Sequence, residues 1–360
     1  MRSVCTIVVG LLILVVTLSS TYGRRWTTTT GQAFEGDFVR IEGVNAVFTA
    51  NGKEYRYPIA ALSVPDRLFV NRAAYSQSRS GAVAPSAEPT STTPPVERPS
   101  KLQLAGQAIT IGGDNEIEVL ITDNAALKTV KDSYRKPSTK AKMLLVLPSD
   151  FDPVGKICPL VIVSATTDGG GSSVGSGKAN YLPDATNKGY VVMAVDGEFG
   201  KPAGEGDSTD FRWALVSSGL SAINKEWPKS KSWPIVTAGV SGGGGYASHQ
   251  AMMLIQKQAP VIGLLLAVTG WDPTDFPDVL QRTPFAPIHN LPIFISAGES
   301  DPTATKEITD KMYQDVMRQG FRKVRFEHFA GGHELYRQHL QTALDWFREE
   351  NEKPKGTTRK

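Results

Sequence analysis

The sequence predicts an α/β protein, a mainly parallel sheet flanked by helices, preceded by a small β-barrel. Three observations predict it. From residue 105 to 350, apolar strand-like segments alternate with amphipathic helical ones, the pattern that packs as a parallel sheet between helical layers. Residues 26–72 hold a separate group of strand-like segments around an Asn-Gly turn. Between the two lies a Ser/Thr/Pro-rich stretch with almost no large apolar residue. A chain of 360 residues suits one large domain and a small one; its net charge is +3, and its lysines and arginines are spread among acidic residues. No basic and aromatic platform is visible, so no nucleic-acid partner is expected.

Taken in order, the chain opens with Arg2, the apolar run VCTIVVGLLILVVTL and the small-residue stretch SSTYG. That order is the signature of a secretory signal peptide. Residues 1–23 are expected to be removed after Gly23, and the product to be exported to the periplasm, cell surface or medium. The run is shorter than the ~20 residues a spanning helix needs, so no stable membrane span is expected after cleavage. The alternative is a retained N-terminal anchor. Cys5 lies ahead of the apolar core, which leaves Cys158 alone in the mature chain and no intrachain disulfide to form.

In residues 24–72, AFEGDFVRIEG and AVFTA carry spaced apolar and aromatic residues, and Asn51-Gly52 leads into KEYRYPI. Asn-Gly is a preferred two-residue hairpin turn. Ser63 ahead of Pro65 and Asp66 is a helix-start signature. The expectation is a small barrel closed by a short helix. On RRWT, NGKEYRYPIAALS and the following Asp66 and Phe69-Val70, this unit resembles the first Sla-homology domain, an SH3-like module. The resemblance implies a protein or macromolecular ligand and no catalysis. Residues 73–104 cannot bury enough surface to offset their ordering entropy and are read as a linker. Residues 351–360 are a charged tail.

The strand candidates of the large region are EIEVLIT, KMLLVLP, PLVIVSA, YVVMAVD, PIVTAGV, VIGLLLAVTG, LPIFISAG and KVRFEHF. Several are apolar throughout, as strands covered on both faces are. DFRWALVSSGLSAI, YASHQAMMLIQKQ, ATKEITDKMYQDVMRQ and ELYRQHLQTALDWFREEN have helical spacing.

Gly239-Val240-Ser241-Gly242-Gly243 fits G-x-S-x-G between a strand and a helix. A turn that lifts a serine above the sheet is too tight for flanking side chains, which gives the glycines a steric reason. The same kind of turn also binds phosphate, but the Lys-Ser/Thr ending of a phosphate loop is absent. A serine nucleophile needs a histidine base and a carboxylate to orient it. Asp301 lies just beyond the strand IFISAG, and His333 sits in the glycine loop AGGHE between the last strand and the last helix. With order and setting in agreement, residues 105–350 resemble the α/β-hydrolase superfamily and are similar to secreted esterases of the polyester depolymerase and feruloyl esterase group. The resemblance implies Ser241 as nucleophile, Asp301 as orienting acid and His333 as base.

Asp272 is the alternative acid and Glu299 the third choice. His249, His328 and His339 lie inside predicted helices or strands and are read as packed or surface residues. Asp168 and Asp196 end strands on the catalytic edge. The chain departs from the superfamily at the oxyanion hole, where Ala165-Thr166 stands in place of His-Gly. Backbone donors from Gly242 and from Thr167 or Asp168 are expected to form it. The reading is an exported carboxylic-ester hydrolase with no metal or organic cofactor. The alternatives are an inactive binding protein on the same fold, and a serine peptidase or acyltransferase.

Overall fold

The computed structural model describes residues 24–28, 30–42, 45–50, 52–62, 66, 70, 102–124, 127–128, 139–166, 172–197 and 208–353. The proposed signal segment, the linker up to residue 101, Thr167, Asp168 and the end of the charged tail lie outside them. The chain divides into two compact units, Met1–Thr92 and Thr93–Lys360. No helix among the described residues is long and apolar enough to cross a membrane.

The first unit is a four-stranded antiparallel sheet in the order β1 (Arg24–Thr27), β2 (Ala33–Glu42), β3 (Asn45–Ala50), β4 (Lys53–Pro58). Ala50 pairs with Lys53 across a two-residue turn whose Gly52 has φ +73°, as the Asn-Gly hairpin requires. A bulge between Phe38 and Arg40 shifts the register of β2 against β3. Phe38 therefore faces Phe48 while Arg40 faces Val47, so one inserted residue moves the even-numbered positions to the other face. One face carries Trp26, Phe34, Phe38, Phe48 and Tyr57 around a core with Leu62 and Val70. The other carries Arg40 paired with Glu42 and Glu54, and Arg56 paired with Glu42.

The barrel expected here is corrected to an open sheet. No ladder joins β1 to β4 among the described residues; beyond the sheet there is only an isolated bridge from Thr28 to Leu62. Alternation of apolar residues specifies antiparallel strands but not the shear and tilt that close them. Asp66 and Val70 are helical, while Ser63 and Pro65 fall outside the described residues. The Asp66 carboxylate accepts hydrogen bonds from Arg24 Nη2 and from the Thr27 backbone, tying this segment to β1.

The second unit begins earlier than the sequence predicts. β5 (Leu102–Leu104) pairs with β6 (Gln107–Ile109), and both Leu102 and Leu104 are buried in its core. The last three residues assigned to the linker are thus a strand. Their small number of apolar side chains hid them in the polar stretch.

All eight predicted strands are present: β7 (Asn115–Leu120), β8 (Lys140–Val146), β9 (Leu160–Ala165), β10 (Val191–Gly197), β11 (Ile235–Val240), β12 (Val261–Ala267), β13 (Ile293–Gly298) and β14 (Val324–Phe329). They form one sheet in the order β7-β8-β10-β9-β11-β12-β13-β14, antiparallel at β7-β8-β10 and parallel from β10 to β14. The α-helices that flank it include α1 (Ser173–Ser176), α2 (Asp184–Asn187), α3 (Thr209–Glu226), α4 (Gly243–Gln256), α5 (Pro277–Arg282), α6 (Phe285–His289), α7 (Lys306–Arg318) and α8 (Arg337–Glu352).

Side chains from the two faces of the sheet separate into distinct cores. Met143, Ile162 and Met193 pack with α3, and Leu264, Leu266 and Ile295 with α4 and α7. Leu144, Val161, Val192, Leu265 and Phe294 pack with α8 on the opposite face. A Cβ on Gly263 of β12 would lie 2.3 Å from the Phe347 ring, so α8 reaches the sheet only because that side chain is missing.

Candidate active site

The parallel strands all end on one edge, and Ser241, Asp272, Asp301 and His333 lie on the turns that leave it. At the end of β11, Ser241 has φ +56°, a left-handed conformation that a non-glycine residue adopts at a cost. Its backbone N–H donates to Ala267 O at the end of β12 (3.0 Å), and its carbonyl accepts from Gly244 N (2.9 Å). These bonds pin the turn into α4. The flanking glycines are forced by crowding. A Cβ on Gly239 would lie 2.1 Å from Gly243 O, one on Gly243 2.4 Å from Ser164 O, and one on Gly244 2.6 Å from Thr269. Ser241 remains partly exposed, with its Oγ in no hydrogen bond among the described residues.

Asp301 follows β13 and has a side chain with no solvent exposure. Its carboxylate accepts from Thr303 N (2.8 Å) and Ala304 N (3.0 Å), which satisfy a buried charge. The same carboxylate meets His333 Nδ1 at 2.8 Å (Oδ2) and 3.0 Å (Oδ1). That contact orients the imidazole and leaves Nε2 without a partner among the described residues. The histidine loop is seated on the end of β13. Ser300 N donates to Gly331 O, and a Cβ on Gly298 would lie 2.4 Å from Gly332 O. The structure therefore brings Asp301 and His333 into contact and places Ser241 on the same sheet edge.

The rival residues have other employment. Asp272 caps the 3-10 turn Pro273–Asp275, with its carboxylate accepting from Thr274 N (2.6 Å) and its own N–H donating to Asp275. Burial pushes its pKa up to about 6, against the opposing effect of the Thr274 bond. His249 is buried beneath Phe276, and desolvation holds its pKa below the ordinary histidine value. His339 bonds Ser296 through Nδ1 inside an aromatic cluster and is likewise shifted down by burial. His328 stands 3.9 Å from Asp310, and Glu299 uses its backbone N–H to hold Phe329 O.

Gly242 is the N-cap of α4, directly after Ser241. Of the donors expected opposite it, Thr167 and Asp168 lie outside the described residues. Their neighbour Thr166 is described, and its hydroxyl oxygen lies 2.9 Å from where a Gly242 Cβ would stand. That hydroxyl is buried and finds no partner among the described residues. In the sequence it was marked by its place directly after an apolar strand, where Ala165-Thr166 stands for His-Gly. Asp196 anchors the far end of the same loop. It accepts from Ser173 N and Val174 N (both 2.9 Å) and from the buried Arg212 (3.1 Å). Among the described residues no cluster of three or more His, Cys, Asp or Glu is arranged to hold a metal ion.

No family model matches the sequence, and no curated protein matches it. Solved structures do. An alpha-beta serine hydrolase homologue from Coxiella burnetii is 15% identical, with a TM-score of 0.44, covering 67% of this chain and 98% of its own. The Bacillus cereus carboxylesterase is 20% identical, with a TM-score of 0.41, covering 58% of this chain and 94% of its own. Est1E from Butyrivibrio proteoclasticus is 14% identical, with a TM-score of 0.42, covering 61% of this chain and 98% of its own. The second unit is an eight-stranded, mainly parallel sheet with helices on both faces.

Proposed function

We propose that the second unit is a serine hydrolase acting on carboxylic esters, with Ser241 as nucleophile, His333 as base and Asp301 as the orienting acid. The observation that carries this reading is the buried Asp301 carboxylate bonded to His333 Nδ1. It selects the tautomer whose Nε2 accepts a proton. Ser241 Oγ attacks the ester carbonyl carbon as its proton passes to Nε2. The tetrahedral oxyanion is held by backbone donors beginning with Gly242 N–H. On collapse the C–O bond breaks and the imidazolium returns the proton to the leaving alkoxide. Water, deprotonated by the same histidine, then cleaves the acyl-serine and restores the hydroxyl.

The charged, apolar and small-residue order of residues 1–23 supports export, and the aromatic face of the first unit supports a binding role for it. The reading is tested with a fluorophosphonate probe, which reports an activated serine whatever the substrate. The wild type labels and Ser241→Ala does not. A folded wild type that stays unlabelled would overturn the hydrolase reading and leave a binding protein on this fold.

A further inference from the structure

The ladder between β9 and β10 ends at Val163 and Ala194, while β9 runs on to Ala165 and β10 to Gly197. Beyond that point the start of α1 is bonded to both strands. Ser173, 3% exposed, accepts the Ala165 N–H on its Oγ at 3.3 Å. Asp196 holds the same turn from β10. Its Oδ1 accepts from Ser173 N (2.9 Å), and its Oδ2 from Ser172 Oγ (2.5 Å) and Val174 N (2.9 Å). Arg212, buried near the start of α3, donates from Nη1 to Oδ1 (3.1 Å) and lies over the Tyr246 ring of α4 (5.6 Å). Bonds to an ionised carboxylate are roughly twice as strong as neutral ones, so this aspartate is a firm anchor.

The nucleophile turn rests on the end of β9. A Cβ on Gly243 would lie 2.4 Å from Ser164 O and 2.8 Å from Ala165 Cα, and one on Gly242 2.9 Å from Thr166 Oγ1. Ser164 Oγ also donates to Gln250 Oε1 within α4 (3.1 Å). Contacts this close leave no slack between the two elements. A shift of Ala165 is passed to Gly242, whose N–H begins the proposed oxyanion hole. Backbone donors stabilise an oxyanion only when their aim is accurate.

We propose that Asp196 is a positioning residue for the oxyanion hole, acting through Ser173 on the end of β9. The Asp196 carboxylate fixes Ser173, the Ser173 hydroxyl fixes Ala165, and Ala165 with Thr166 forms the wall against which Gly242 presents its N–H. This role rests on the hydrolase reading. Because the oxyanion exists only on the way through the reaction, the transition state feels Asp196 and the bound ester does not.

The test compares wild type with Asp196→Asn, Ser173→Ala and the double variant, using a short-chain aryl ester and a fluorophosphonate probe. Asn keeps one acceptor oxygen and loses the charge; Ser173→Ala removes the hydroxyl that reaches Ala165. Each single variant is expected to lower kcat roughly 10- to 100-fold with KM within about 3-fold of wild type. The probe should label each variant to the wild-type end point, at a rate reduced by a similar factor, which separates a misplaced hole from a fraction of unfolded chains. The double variant should lose no more than the worse single one, since both act along one path. If the probe labels wild type and both single variants at equal rates, the role of Asp196 is overturned and the hydrolase reading stands; an unlabelled wild type removes both. A raised KM with kcat kept would make Asp196 part of substrate binding. A lower end point in both single variants would make the pair a folding device, and losses that multiply in the double variant would give the two residues separate routes. Each of these outcomes also overturns the proposal.

Discussion

The Asp301 carboxylate is buried but accepts two backbone N–H groups and the His333 ring, so a negative charge there is compensated. Asp272 is also buried, yet its carboxyl is pushed up to about 6 by desolvation and is engaged in a cap. Asp301→Asn is expected to lower kcat by about ten-thousandfold, because the amide favours the wrong histidine tautomer. Asp272→Asn keeps a capping oxygen and should leave kcat within a few-fold; steady-state rates on a short-chain aryl ester separate the two. A second expectation concerns stability. A carboxyl whose pKa is raised in the fold favours the native state fully below about pH 4, its unfolded value, and loses that contribution as pH climbs through about 6. Relative to wild type, Asp272→Asn should therefore gain on the order of 2 kcal/mol between pH 4 and 7. Thermal melts across that range check the direction. At this scale the candidates were legible as placements: strand-end position singled out Ser241, Asp301 and His333, of which Asp301 and His333 are in contact, and strand or helix interiors set the other histidines apart. Thr166 was marked only as a departure from His-Gly, with the donors expected one or two residues later, because a lone threonine does not show from sequence where its hydroxyl lies.

Periodicity was most reliable for the buried parallel strands, where every residue from Leu160 to Ala165 is buried and the apolar run shows it. It failed at the hairpin of β5 and β6, where each strand has three residues and no pattern can establish itself. That hairpin matters to the sheet edge. Gln107 donates from Nε2 to Glu118 O (2.8 Å) and accepts from Glu118 N (3.1 Å), so one side chain answers the open edge of β7 as a neighbouring strand would. Exposed edges recruit other chains. Gln107→Ala should free both groups, lower stability by about 1 kcal/mol, and raise concentration-dependent light scattering; Gln107→Glu, which can only accept when ionised, should fall between. No rise in scattering for the alanine variant would show that the edge is guarded by something else. The failed barrel belongs to this scale too, since closure depends on pairing between residues far apart in sequence.

For the molecule as a whole, the position of Leu102 and Leu104 sets where the second unit can be cut. A fragment starting at Gly106, where composition alone would place the boundary, discards two leucines exposed by only 9% and 0%. Each contributes roughly 1.5–3 kcal/mol. That fragment should melt about 10 °C or more below one starting before residue 100, which differential scanning fluorimetry reads directly; equal melting temperatures would mean the hairpin is dispensable. The sheet and its helices form three packed layers, and Gly263 lies where two of them touch. With a hydrogen in place of a side chain, Phe347 can rest on the strand itself. The spacing of α8 from the sheet in the second unit is therefore set by the absence of a methyl group. α8 rests on this contact, and the chain enters α8 from the His333 loop. A spacer at position 263 would lift the helix like a wedge under a lever, and the lever's other end carries the imidazole. A residue with no functional group thereby enters the tolerances of the chemistry at the sheet edge.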